Sequence, residues 1–263
     1  MPDSVKQLGL IGKSLSHSFS KSYFAHKFQK EGITGYRYDH YELESIDEFL
    51  PLINKVPHLT GLNVTIPYKL EVIPLMDELS KEAKAIGAVN VIKVEAGKLT
   101  GFNSDYFGFQ NSLVNWLPQH WQGKALILGT GGASQAVEAV LQDLQIPFQF
   151  VSRSPGADRV TYQQALDLQL IDSHQLLINT TPLGMHPQID TYPNIDYGRI
   201  GDEHFLYDLV YNPESTRFMQ LGKKQGAHIK NGLEMLELQA EKSWEIWTQP
   251  AVENPKNQIP NSK

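Results

Sequence analysis

From Lys124 to Ser154 the chain reads KALILGTGGASQAVEAVLQDLQIPFQFVSRS, and this run limits the fold more than any other. Leu126 to Leu128 end in Gly129-Thr130-Gly131-Gly132-Ala133-Ser134. Ala136, Val137, Val140, Leu141 and Leu144 then recur at helical spacing before a second apolar stretch. Strand, glycine turn, helix and strand within about thirty residues make one βαβ unit, so the chain must build a parallel sheet with its crossover helix packed on one face. Glycines permit the tight turn and let a pyrophosphate approach backbone N–H groups, where the helix dipole favours negative charge. A ligand-free glycine turn has the same spelling, and the loop alone leaves that alternative open.

The end of the following strand bears on which ligand. Sites for NAD place Asp or Glu there to hold the ribose 2′-hydroxyl, whereas this chain has Val151-Ser152-Arg153-Ser154. Arg153 offers a fork for a 2′-phosphate, flanked by the hydroxyls of Ser152 and Ser154, at about 1.5–3 kcal/mol per charge-assisted bond. A solvated loop arginine is the alternative. The expected cofactor is NADP(H), held by Gly129, Gly131, Gly132, Ala133, Ser152, Arg153 and Ser154.

The unit is extended by QLLINTTPLGM (175–185), EHFLYDLVY (203–211) and AHIKNG (227–232), each a short apolar strand with a polar turn. Ahead of it lie the apolar runs QLGLIG (7–12), GLNVTI (61–66) and AVNVIKV (88–94), the last turning through EAGK into LTGFN as a hairpin. SIDEFLPLI begins with Ser45 and Glu48 in capping-box spacing, and Gly87 stops the helix of SKEAKAI. Alternating strands and helices before and after about residue 104 predict two α/β domains. In GLNVTIPYKL the alternation of Leu62, Val64 and Ile66 points inward and delivers Asn63, Thr65 and Lys69 toward one rim.

With 263 residues the chain is long enough for two cores. Its net charge of −6 gives no long-range attraction for nucleic acid, so an anionic ligand must be held by local groups. Zero cysteines exclude disulfides and thiolate chemistry, and the nine histidines form no HxxxH or HExxH pair, so no metal site is expected. The sequence has no apolar run of about eighteen residues and its first residues lack the pattern of a signal peptide, which predicts a cytoplasmic protein without a membrane partner. Residues 249–263, rich in proline, are expected to form a flexible tail.

Taken singly, the rim residues also fit structural roles: Thr65 as a helix cap, Lys69 as a solvated side chain, Asp105 as the N-cap of YFGFQNSLVNWL. Together with HSFS (17–20) and Asn90 they form a cluster at strand ends, where α/β sheets bind ligands. Gln239 lies on the face of Leu236, Ala240, Ser243 and Trp247, where a carboxamide needs a partner, either protein, water or a polyhydroxylated ligand.

The stretches HSFS (17–20), GLNVTIPYK (61–69), GAVN (87–90), GFNSD (101–105), GTGGAS (129–134), NTTPLGM (179–185), DLVYNPEST (208–216) and NGLEMLELQAEKSWEIW (231–247) resemble, in order, those of the shikimate dehydrogenase family. The resemblance implies reversible NADPH-dependent reduction of the C3 ketone of 3-dehydroshikimate to shikimate, a step of chorismate and aromatic amino-acid biosynthesis. It implies that Ser18 and Ser20 bind the substrate carboxylate with Tyr211 close by, that Thr65, Asn90 and Gln239 hold hydroxyls, and that Asn63 belongs to the substrate site. Lys69 and Asp105 match the catalytic pair, Gly232 and Met235 the nicotinamide contacts, and Thr180 and Leu209 further cofactor contacts. His17 is assigned to positioning or structure. The chain departs from the family at Lys13-Ser14, at Lys21 and at Ser152-Arg153-Ser154, the last keeping the arginine.

The expected architecture is therefore a substrate domain of residues 1–103, rejoined by a helix at about 236–248, and a Rossmann-type NADP-binding domain of residues 104–235. A monomer or homodimer is expected. A quinate/shikimate dehydrogenase using NAD or both cofactors, and a dinucleotide-sensing or substrate-binding regulator that has lost catalysis, are the alternatives; Ser18 with Ser20 and the absence of an acidic residue at 152–154 speak against the first, the presence of both Lys69 and Asp105 against the second.

Overall fold

The structure, a computed structural model, describes residues 5–16 and 18–249. Two sheets of six strands organise it. The first collects β1 (Lys6–Gly12), β2 (Tyr36–Glu42), β3 (Leu59–Val64), β4 (Glu78–Leu79), β5 (Val91–Glu95) and β6 (Lys98–Phe102) in the order β2-β1-β3-β5-β6-β4. It is mixed: β1 is parallel to β2 and β3, β4 to β6, while β5 is antiparallel to β3 and β6. The second sheet is parallel throughout: β7 (Ala125–Leu128), β8 (Phe148–Ser152), β9 (Arg159–Thr161), β10 (Leu176–Asn179), β11 (Phe205–Asp208) and β12 (His228–Lys230), in the order β12-β11-β10-β7-β8-β9. The helices are α1 (Ser20–Glu31), α2 (Phe49–Lys55), α3 (Lys81–Ile86), α4 (Ser104–Trp116), α5 (Gly132–Asp143), α6 (Tyr162–Asp167), α7 (Arg217–Lys224) and α8 (Leu233–Thr248). No helix among the described residues is long and apolar enough to cross a membrane.

Both sheets are covered on both faces, which is why their inner strands read as continuous apolar runs. In β7, Ala125 and Ile127 pack with Phe109 and Leu113 of α4 and Val137, Val140 and Leu141 of α5. Leu126 and Leu128 point the other way, toward Ala165 of α6 and Phe218 and Met219 of α7. In the first sheet, Leu62, Val64 and Ile92 meet Phe49 and Ala83, while Leu8, Leu10 and Val91 meet Phe24, Ala240 and Trp247. Each buried valine, leucine, isoleucine, phenylalanine or methionine among them contributes about 1.5–3 kcal/mol.

The helix α8 closes back on the first sheet. A β-carbon on Gly61 would stand 2.2 Å from the Trp247 ring, so the glycine makes room for the indole. The Trp247 Nε1–H donates to the Ile92 carbonyl at 3.0 Å.

Four local expectations are corrected. The strand at 61–66 ends at Val64, and Ile66 is 76% exposed rather than inward. Pro67 has no N–H to continue a ladder, and Tyr68 N–H bonds the Thr65 carbonyl in a turn, which ends the alternation. Ser45 and Glu48 make no capping box: Ser45 accepts from Asp47 N–H and heads a short 3₁₀ turn, while Glu48 accepts from Glu44 N–H. Asp105 is not an N-cap; Asn103 is, with its side chain accepting from Tyr106 N–H. No helix starts at Pro67, where Thr65 would cap it. The hairpin of β5 and β6 and the stop at Gly87, which has φ 71°, are as expected. The tail at 250–263 and His17 lie outside the described residues.

Candidate active site

Lys69 is placed by the turn that follows β3. Tyr68 is buried and donates its hydroxyl to the Leu43 carbonyl at 2.5 Å, and Val89 N–H bonds the Lys69 carbonyl at 2.9 Å. These two anchors hold the backbone from which the Lys69 side chain leaves. Its ammonium donates to Asp105 Oδ2 at 2.5 Å, the two side chains being 16% and 11% exposed. Asp105 comes from the first turn of α4, whose cap Asn103 is itself tied to the Ala88 carbonyl at 3.0 Å. A contact to one carboxylate oxygen leaves the ammonium's remaining N–H donors available.

Behind the pair lies a buried polar network, and Ser104 is its centre. Asn90 Oδ1 accepts from Ser104 N–H at 2.6 Å and Asn90 Nδ2 donates to Ser104 Oγ at 3.1 Å. Ser104 Oγ donates to Gln239 Oε1 at 3.2 Å, while Gln239 Nε2 donates to the Leu236 carbonyl at 3.0 Å. Backbone partners thus fix both carboxamide orientations, and each amide keeps one uncommitted N–H. The network continues through Ser243, which takes Asn63 Nδ2 at 2.9 Å, and through Asn63 Oδ1, which takes the Tyr38 hydroxyl at 2.8 Å. Asn63 is therefore satisfied inside the protein rather than presented at the rim. Burial pushes the Tyr38 hydroxyl above the usual tyrosine range, and the Ser20 hydroxyl bonds it.

Ser20 is buried at the start of α1, and its N–H bonds the Ser18 hydroxyl oxygen at 3.3 Å. Between the serines stands Phe19, whose ring meets that of Tyr211 edge-on at 5.8 Å, and burial raises the Tyr211 hydroxyl beside the Phe19 backbone. Thr65 sits against Gly12, where a β-carbon would lie 2.6 Å from its methyl. The structure joins Lys69 to Asp105, Asn90 to Gln239 through Ser104, Ser18 to Ser20, and Tyr211 to Phe19 between those serines. Sequence reasoning missed Ser104, Tyr38 and Phe19. Ser243 it placed only on an apolar stripe, where a lone serine was the available signal.

The glycine turn lies at the carboxyl end of β7. Gly129 has φ 112°, a conformation for glycine, and a β-carbon there would stand 2.8 Å from Thr180 Oγ1. Gly131 caps α5 and its carbonyl accepts from Ser134 N–H and Oγ. A β-carbon on Gly131 or Gly132 would meet nothing within 4 Å, so open space lies beside this helix end, and Ala133 follows in the first turn. The Thr180 N–H and hydroxyl both bond the Leu128 carbonyl, at 3.0 and 2.9 Å.

At the end of β8, Ser152 is buried and its hydroxyl is spent on the Ser154 carbonyl, which shapes the loop. Arg153 is exposed and, among the described residues, has no hydrogen-bond or ion-pair partner. Across the sheet, Leu209 N–H bonds the Asn179 carbonyl, Gly232 N–H bonds the Val210 carbonyl, and Met235 is buried in the first turns of α8. Open space at the helix end, a free guanidinium and no carboxylate at the strand end fit a dinucleotide carrying a 2′-phosphate.

Parallel sheet, glycine turn and a sheltered ammonium–carboxylate pair define a two-sheet α/β protein of the dinucleotide-dependent dehydrogenase class. Residues 10–92 match the model of the shikimate dehydrogenase substrate binding domain, and the NADP(+) shikimate dehydrogenase of Clostridium beijerinckii is 38% identical over 253 residues, 94% of this chain and 93% of that protein. The chain belongs to the shikimate dehydrogenase family. Among solved structures, the shikimate dehydrogenase of Aquifex aeolicus aligns with a TM-score of 0.82 at 30% identity, covering 94% of each chain. The Thermus thermophilus shikimate 5-dehydrogenase in complex with NADP(H) and shikimate gives 0.80 at 29% identity, covering 92% of this chain and 93% of that one.

Proposed function

We propose that this chain reduces 3-dehydroshikimate reversibly to shikimate with NADPH, Lys69 and Asp105 serving as the acid–base pair. Residues at the carboxyl ends of β7, β8, β10 and β11 would hold NADPH, which would supply the hydride. Hydride reaching the C3 ketone leaves charge on oxygen, and that oxygen is too basic to depart unprotonated at neutral pH. The Lys69 ammonium stabilises this charge and delivers a proton to the oxygen, while Asp105 aims the ammonium. In oxidation the same pair accepts the hydroxyl proton. The 2.5 Å contact between Lys69 and Asp105, two residues brought together from separate segments, carries this reading.

Ser18 and Ser20 receive the substrate carboxylate, with Tyr211 over it. Asn90 and Gln239 offer their uncommitted N–H groups to hydroxyl oxygens, and Thr65 offers its hydroxyl; Asn63 acts from behind, holding Ser243. Gly129, Gly131, Gly132 and Ala133 cradle the pyrophosphate, Arg153 and Ser154 take the 2′-phosphate on a loop shaped by Ser152, and Thr180, Leu209, Gly232 and Met235 line the nicotinamide half. We assign residues 1–103 and the helix near 236–248 to a substrate domain, and 104–235 to a nucleotide domain. The protein works in the cytoplasm as a monomer or homodimer.

The test is loss of reduced-nicotinamide absorbance with 3-dehydroshikimate, for the wild type and Lys69→Met. Turnover by the wild type that Lys69→Met lowers by about a hundredfold or more, with shikimate still bound, supports the reading. Full activity in Lys69→Met overturns the assignment of the acid.

A further inference from the structure

One buried carboxylate takes no part in the chemistry above. Asp208 ends β11, fully buried, and it gathers three donors from three segments. Its Oδ1 accepts from Asn179 Nδ2 at 2.9 Å and from Val210 N–H at 3.0 Å; its Oδ2 accepts from the Thr216 hydroxyl at 2.5 Å. Each donor leads onward. Asn179 Oδ1 takes the N–H and hydroxyl of Thr181, at 3.1 and 2.6 Å, which sets the turn after β10. The Val210 carbonyl accepts from Gly232 N–H at 3.2 Å. A β-carbon on Gly232 would stand 2.2 Å from the Leu209 carbonyl oxygen, so the chain entering α8 lies directly on the backbone that Asp208 holds. Thr216 caps α7 by accepting from Met219 N–H.

We infer that Asp208 is a positioning residue for the nicotinamide half of the cofactor: one carboxylate fixes the turns after β10 and β11 and, through Val210, the backbone at Gly232. The sheet order gives the direction. β7 and β8, with the glycine turn and Arg153, lie on one side of the reversal in strand order, and β10 and β11 on the other. A dinucleotide laid across such a reversal puts its two halves on opposite sides. The adenosine half is then out of reach of Asp208, and its binding is independent of it. This inference rests on NADPH occupying the cleft as proposed.

The experiment measures two ligands by titration calorimetry on the full chain: NADPH, and adenosine 2′,5′-bisphosphate, which lacks the nicotinamide. Asp208→Asn keeps the shape and removes the charge; Thr216→Val removes one donor and is the second variant should the first fail to fold. The expected result is NADPH binding weakened by about tenfold or more in Asp208→Asn, and by a smaller factor in Thr216→Val. The bisphosphate should stay within about twofold of wild type in both, and kcat should fall with little change in the KM for 3-dehydroshikimate. Equal loss for both ligands, or no loss for NADPH, overturns the inference. Should the wild type bind neither ligand, the cofactor reading fails first and this inference falls with it.

Discussion

Gly108 of α4 lies bare against the Met235 carbonyl of α8: a β-carbon there would stand 2.5 Å from that oxygen and 3.1 Å from the Gln239 backbone nitrogen. Asp105 sits three residues before this contact and Gln239 four residues after Met235, so one missing side chain sets how closely two site residues face each other.

Gly108→Ala is expected to force the helices apart, because the obstacle is backbone. The cost is about 1–3 kcal/mol, as for overpacking elsewhere, read as a lower denaturant midpoint. The KM for 3-dehydroshikimate should rise as Gln239 recedes from Ser104. Unchanged stability together with unchanged KM would show that α4 and α8 are free to slide.

Lys69→Met and Asp105→Asn separate the roles within the pair. Removing the ammonium should lower kcat by about a hundred- to ten-thousandfold, the usual span for a general acid. Asp105→Asn should cost less in kcat, since the amine remains. Equilibrium binding of shikimate, followed by calorimetry, should stay within a few fold in both.

Arg153→Ala addresses the choice of cofactor. With about 1.5–3 kcal/mol in a charge-assisted bond, the KM for NADPH should rise about ten- to a hundredfold. The KM for NADH, which lacks the 2′-phosphate, should hardly move. Parallel loss with both cofactors would refute a specific phosphate contact.

Burial pushes Asp208 up from 3.8 to about 6, against the hydrogen bonds from Thr216, Val210 and Asn179 that favour its charge. Tyr197 also faces it, and its hydroxyl is raised mainly by its own burial. A raised carboxyl stabilises the fold below the unfolded value, and that contribution is lost as pH climbs from about 4 through 6. The shift corresponds to about 3 kcal/mol at most. Denaturation of wild type and Asp208→Asn at successive pH values should therefore show the wild type losing ground to the variant across this window, with a constant difference above it.

The parallel sheet and the glycine turn were legible because each is written in contiguous residues, whereas the pairing of Lys69 with Asp105, 36 residues apart, was legible only through the resemblance to the family. The edge strand β2, YRYDHYE, and the helix α1 were not. β2 has no apolar run, since its tyrosines pack while its charged groups reach water. The polar network escaped for another reason: Ser104 meets Gln239 across 135 residues and Asn63 meets Ser243 across 180, and contacts so distant leave no period in the sequence. Ile66 misled because alternation continues in spelling after the strand has turned away. Asn63 misled likewise, as polarity at a strand end suits a rim and a buried bridge equally well.

The indole of Trp247 seated over Gly61 bears on how the protein is made. The strands of the first sheet leave the ribosome before those of the second, but the side chain that covers this part of the first sheet follows both in the chain. During translation that face must wait uncovered, at about 5–20 residues added per second, while the second sheet is built. A nascent chain stalled before α8 would display Gly61 and its apolar neighbours to chaperones.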